Sequence, residues 1–282
     1  MITTMVLMVF IVIAMLVYMN PVWVIVMASA SIAYGFLSPV VASRRLYFLA
    51  SASPHSALLA TIIAIPISMA IPVGNVYLWA AVIGLLLIYS VGYMIHRGVD
   101  PDIATAIYVS FTSSASVIAL YYVLTRYPIE TDLATIVIGD PLLAGWDEAF
   151  ISVAIAVLSL LFVIVSFCEQ VCIGVDRDST RLSGINTSFY DLLVFTLLGL
   201  TTVLLIRIVG FVLEHVLILL PASIAVLVTE SARKTLLISV VVSVLAGLTG
   251  LYLAVLFDIA PAGATGLVLL LFYIICLVIK KV

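Results

Sequence analysis

Few side chains in this sequence are able to do chemistry, and they stand out because apolar residues surround them. Glu214 and His215 lie together in Val209-Gly210-Phe211-Val212-Leu213-Glu214-His215-Val216-Leu217-Ile218-Leu219-Leu220-Pro221, where Arg207 is the nearest basic residue. A charged group at the centre of a membrane helix costs about 2.5–3.5 kcal/mol on insertion scales, so such residues face partners or a hydrated cavity. Adjacent helix positions point about 100° apart, so both side chains can border one cavity but cannot both face lipid freely. A carboxylate beside an imidazole suits Zn²⁺, Mn²⁺ or Fe²⁺ better than Cu(I), which prefers sulfur. The structural alternative is a pair between Glu214 and Arg207, two turns earlier on a similar face. His55 follows Ser51-Ala52-Ser53-Pro54. There Pro54 suits a first helical turn, with Ser51 or Ser53 as the cap. His55 is then either bonded to a nearby carbonyl at a helix end or a metal or proton group.

The remaining polar material offers less. Cys168 and Cys172 are one turn apart beside Glu169 and read as packing or reduced thiols. No P-loop, no H-E-x-x-H and no G-x-S-x-G is present, Glu214-His215 standing in the reverse order to a zinc-protease helix. An arginine ladder and a potassium-type filter are missing as well. The stretch 169–187 is the most charged on its side of the membrane. A short helix after Asp178 that ends at Gly184 would make it either a solvated linker or a docking element for a partner protein.

The elements that must position these groups follow from composition. Of 282 residues, 66% are apolar and 9% charged, with a net charge of −3 and a mean hydropathy of +1.41. Too few polar residues remain to coat a soluble globule. With no basic face, nucleic acid is not an expected partner. Apolar runs at 4–18, 21–42, 55–73, 75–96, 103–125, 146–168, 188–208, 210–228, 235–257 and 262–279 predict an all-α polytopic membrane protein. The expected count is about ten transmembrane helices, within a range of eight to ten, at about 20 residues per span. The first run is short, and 210–228 reads as a plain span or as a broken, re-entrant helix.

Basic residues orient the spans. If Lys280-Lys281 is cytoplasmic, alternation places Arg44, Arg45, Arg97, Arg177, Arg181, Arg233 and Lys234 on the same side. Arg126 and Arg207 fall opposite, with Glu130, Asp132, Asp140, Asp147, Glu148 and Asp258. The expected protein is an integral plasma-membrane protein with both termini cytoplasmic. Residues 1–282 form a single transmembrane domain with no inserted soluble domain, and membrane lipid surrounds it.

The order of short motifs resembles the ABC-3 family of permeases, the membrane subunits of zinc, manganese and iron importers. Arg44-Arg45 through His55-Ser56-Ala57 is similar to the family's R-R-x-x-x-x-G-D-x-x-x-H-A stretch. Ile138-Gly139-Asp140-Pro141-Leu142-Leu143 is similar to its F-G-D-L-L element, with a proline interposed. Asp176 to Gly184 has the D-x-x-x-A-x-x-x-G spacing of its coupling segment, with Thr180 for alanine. Val209-Gly210, Leu217 to Ala225 and Asp258 to Gly263 match its V-G, L-L-I-I-P-A-x-x-A and D-x-P-A-G elements. The resemblance covers residues 18–282 and makes the segment before residue 18 an extra helix.

The resemblance implies a fold like that of type II ABC importers and a transport subunit rather than an enzyme. It implies two copies around one pathway, cytoplasmic ABC ATPases docked on Asp176, Asp178, Arg181 and Gly184, and an extracytoplasmic solute-binding protein. No cofactor is bound permanently, the divalent metal ion being cargo. One departure matters: the family aspartate four residues before the histidine is Ser51 here, and a hydroxyl is a poor ligand for a transition metal. The expectation is therefore that His55, Glu214 and His215 serve one metal route, as one site or as two stations. A permease for a metal chelate such as a siderophore or cobalamin is the second reading, and a membrane enzyme using the same three groups the third.

Overall fold

A computed structural model describes residues 18–71, 74–127 and 139–281. The expected helix at 4–18, Glu130, Asp132 and Ile138 lie outside the described residues, except for Tyr18 at the end of that helix. The described chain is helical throughout: α1 Pro21–Ser43, α2 Tyr47–Ala70, α3 Val76–His96, α4 Pro101–Arg126, α5 Trp146–Val175, α6 Arg177–Leu182, α7 Thr187–Val228, α8 Ala232–Phe257 and α9 Pro261–Lys281, with one 3₁₀ turn at Pro141–Leu143. All but α6 are long and apolar enough to cross a membrane. In hydrocarbon the backbone must satisfy its own hydrogen bonds, which apolar helices do. Side-chain oxygens close several N-termini: Asn20 caps α1, Asn75 caps α3 and Asp100 caps α4.

α7 is the spine. It packs on α1, α2, α3, α5, α8 and α9, while α4 leans on α2. Small residues let α1 and α8 approach closely, as membrane helices require when no hydrophobic effect drives them together. A Cβ on Gly35 would sit 2.8 Å from the Val240 Cα, and one on Gly247 would strike the Ser31 hydroxyl. The Ser243 hydroxyl donates to the Ser31 carbonyl at 2.7 Å across the same seam.

Two expectations change. The runs 188–208 and 210–228 join in one 42-residue helical stretch, interrupted at Gly210 with φ 77° and ψ 163°. A straight helix would hold Asp191 and Ala222 about 46 Å apart. Both nevertheless meet the last two turns of α1, Asp191 through Arg44 and the Ala222 amide through the Ser38 hydroxyl at 3.0 Å. The chain therefore doubles back at Gly210, between the two expected runs, and 211–228 continues as one unbroken helix. Near the turn, Gly139 (φ 70°) lies so close to the Val209–Gly210 peptide that a Cβ there would overlap it. The Gly-Asp-Pro-Leu-Leu element thus lies across the bend, with Asp140 accepting from the Leu142 amide at 2.9 Å.

Nor does α2 begin at Pro54; it begins at Tyr47, and Pro54 is interior. A proline inside a helix deprives the carbonyl four residues earlier of its amide donor. The Ser53 hydroxyl donates to that carbonyl, Ala50 O, at 2.8 Å, and so replaces the missing bond.

Candidate functional site

The half-helix after Gly210 sets the site. Its first turns carry Phe211, Glu214 and His215 past the middle of α1 and α2. His215 faces α2, where its ring lies 5.7 Å from that of His55, centroid to centroid and edge to face. Phe211 touches both rings, at 4.9 Å from His55 and 4.5 Å from His215. The two histidines are each half-buried.

Hydrogen bonds set how the rings present their nitrogens. His215 Nδ1 bonds to the Phe211 carbonyl at 2.8 Å. A carbonyl only accepts, so Nδ1 carries the proton and Nε2 is the lone-pair nitrogen. His55 Nδ1 pairs with the Ser113 hydroxyl of α4 at 2.9 Å, which leaves its Nε2 on the far side of the ring. A polar partner on one nitrogen is the usual support for an imidazole that binds metal through the other.

Glu214 turns the other way, towards α1. The Tyr34 hydroxyl donates to its Oε1 in a short bond, and both residues are completely buried. Its Oε2 is also buried and accepts no hydrogen bond among the described residues. The alternative pairing with Arg207 is not formed. The Arg207 guanidinium lies 4.9 Å from the centre of the Tyr77 ring, whose hydroxyl donates to Glu148 Oε1 at 2.7 Å. The reason is the bend: Gly210 lies between Arg207 and Glu214, so their spacing of two turns no longer puts them on one face. Nor does His55 sit on a carbonyl at a helix end, since it lies two turns into α2 and its partner is Ser113. Among the described residues no three of His, Cys, Asp and Glu converge as a ready metal cage.

The second polar site lies where α5, α6 and α7 meet the end of α1. Asp176 caps α6: its Oδ1 accepts from the amides of Asp178 and Ser179, each at 3.1 Å, and its Oδ2 from the Ser179 hydroxyl at 2.6 Å. The Ser179 hydroxyl above all, with the Ser179 and Asp178 amides, holds this carboxyl below its ordinary value. Gly184 has φ 89° and stops the helix, while Asp178 and Arg181 are exposed on it. Cys168 and Cys172 are exposed free thiols.

Sequence reasoning did not single out Tyr34, Ser113 or Asp191. Tyr34 is one of 13 tyrosines, and nothing in its spacing marks it. Asp191 falls inside the expected run 188–208, and nothing beside it in sequence points to Arg44 or Arg177. Of these three, Tyr34 alone had an indirect signal, since an acid at Glu214 in an apolar run had to have a partner.

The chain matches the model of the ABC 3 transport family over residues 15–280. The manganese transport system membrane protein MntC of Listeria innocua is 24% identical over 250 residues, covering 87% of this chain and 86% of that one. The manganese import system permease protein ScaB of Streptococcus gordonii is 24% identical over 201 residues, 71% of each chain. Among solved structures, PsaBC from Streptococcus pneumoniae in complex with Fab aligns with a TM-score of 0.80 at 21% identity, over 94% of both chains.

Proposed function

The chain belongs to the ABC 3 transport family, and from that premise we propose that it is the permease of an ATP-driven importer for a divalent transition metal, with manganese the first ion to test. The meeting of His55 and His215 carries this reading. Two neutral imidazoles are suitable ligands for Mn²⁺, Fe²⁺ or Zn²⁺, and waters complete the shell. Two ligands hold an ion far less firmly than a four-ligand structural cage, and a transport site has to let go. The manganese proteins among the relatives support Mn²⁺ within this set.

The half-burial of the histidine pair supports a second copy. A pair that opens to the side of one chain becomes a lined path when a twin covers it. Glu214 is the second station of the route: its free, buried Oε2 is the kind of acceptor that a passing cation satisfies. ATP is hydrolysed on separate cytoplasmic chains, which meet α6 at Asp176, Asp178, Arg181 and Gly184. A solute-binding protein delivers the ion from the opposite side. Basic residues at 44–45, 97, 177–181, 233–234 and 280–281 support cytoplasmic termini.

The test is co-purification with an ATPase subunit and reconstitution in liposomes with Mn²⁺, Zn²⁺ or Fe²⁺ and the binding protein. Manganese is expected to stimulate ATP hydrolysis and to accumulate, and His55→Ala or His215→Ala to abolish accumulation. Uptake at the wild-type rate by a Glu214→Gln/His215→Ala double variant would refute the metal route. Stimulation by a chelate but by none of the free ions would favour a chelate permease.

A further inference from the structure

Four helix ends converge on one carboxylate on the side of the membrane that carries α6. Asp191, in the first turns of α7, accepts from Arg44, which follows the last residue of α1, through Oδ1. It also accepts from Arg177, the first residue of α6, at 2.5 Å through Oδ2 and 3.3 Å through Oδ1. Arg44 further donates to Gln170 Oε1 of α5 at 2.6 Å, and Gln170 Nε2 donates to the Tyr190 carbonyl at 3.1 Å. The ends of α1 and α5 also touch backbone to backbone, since a Cβ on Gly174 would overlap the Ser43 carbonyl.

The two arginines differ in a way that stability alone does not explain. The Arg44 side chain is 6% exposed and needs a counter-charge, which Asp191 supplies. That pair is already neutral. Arg177 is 53% exposed, and an ion pair so open to water contributes about 0–1 kcal/mol to folding. The second guanidinium is surplus to the charge balance, yet it forks onto both oxygens of a mostly buried acid. It also stands at the head of α6, whose other end exposes Leu182. A contact that is well aimed and weak is one that can be made and broken as α6 moves.

What lies beyond Asp191 gives the contact a direction. One turn and two turns before its end, α1 carries Ser38 and Tyr34, which bond Ala222 and Glu214 of the half-helix that bears His215. We propose that Asp191 is the positioning residue through which α6 grips α1 and α7, so that displacement of α6 by an ATPase reaches the histidine pair along α1. This rests on the chain's being an ATP-driven permease and adds to that reading the residue that joins the drive to the path.

The experiment is metal uptake per ATP hydrolysed in proteoliposomes that hold the whole transporter. Arg177→Ala and Asp191→Asn are each expected to lower that ratio about fivefold or more, the lower end of coupling between sites. The double variant is expected to be no worse than Asp191→Asn alone, and Asp191→Glu to restore most of the ratio. A merely structural contact would lower the yield of assembled complex and leave the ratio per assembled complex unchanged. An unchanged ratio for Arg177→Ala overturns the proposal, and this exposed position keeps the test decisive if Asp191→Asn fails to assemble. A wild-type complex that hydrolyses ATP without moving metal would instead refute the permease reading itself.

Discussion

The buried bond between Tyr34 and Glu214 makes a prediction whose size follows from the geometry. Tyr34→Phe removes the one donor to Glu214 among the described residues and leaves both carboxyl oxygens unpaired at zero exposure. Glu214→Leu leaves the Tyr34 hydroxyl unpaired in the same place. Each orphaned buried group costs about 1–3 kcal/mol. For a chain of this size that is about 2–6 °C of melting temperature, at about 2 °C per kcal/mol. The double variant orphans nothing and also removes the Oε2 that has no partner already, so it is expected within about 2 °C of the wild type. Thermal unfolding in detergent, followed by tryptophan fluorescence, closes the cycle. The single losses should fail to add, by about 2 kcal/mol or more. If the double variant falls by the sum of the singles, the two side chains do not depend on each other and the bracing of α7 against α1 is misread. The same double variant separates bracing from ligation: loss of metal uptake with an intact fold would assign Glu214 to the ion's path.

Three further outcomes are expected. Gly210→Ala, at φ 77° and ψ 163°, forces a side chain into a region kept by glycine and should cost about 1–3 kcal/mol, read as a lower melting temperature and poorer yield. Ser113→Ala frees the His55 ring without opening the core and should weaken metal binding about tenfold, as loss of a supporting bond to a ligand does, measured by titration calorimetry on the purified complex. Asp176 has its carboxyl lowered in the folded state, so its cap on α6 is fully present above the ordinary carboxylate value of 3.8 and is lost as pH falls through the lowered value. Acid should therefore leave α6 capped to below that value, and Asp176→Ala should fray α6 and speed trypsin cleavage after Arg177 and Arg181 at neutral pH.

Much of the scaffold can be read in the sequence because apolar runs and their polar breaks are local. α1, α3, α4, α8 and α9 begin and end within a few residues of their expected bounds. Reading fails where a long-range partner decides. Pro54 looks like a helix start until Ser53 is seen to bond the Ala50 carbonyl. Val209-Gly210 looks like a gap between two spans, but whether the chain crosses or returns depends on Ser38 and Arg44, far away in sequence. α5 runs seven residues past its expected end because Gly174 lies against the end of α1. His55 and His215 were legible as residues that apolar surroundings could not explain, but their pairing was not, since no spacing connects positions on α2 and α7. Glu214 was legible for the same reason, and its partner Tyr34 was not.

The reversal at Gly210 has a further electrical consequence. The half-helix that follows begins at Phe211, so its positive end, worth roughly half an elementary charge, lies within a turn of the two imidazoles. Glu214 sits in that same first turn, but its carboxyl faces Tyr34 of α1 and not the two rings. On the proposed route, a cation beside His55 and His215 is therefore repelled by this helix end, and the lone pairs of the two rings have to outweigh that repulsion. An ion on that route is bound against the field of the helix end, which favours its release.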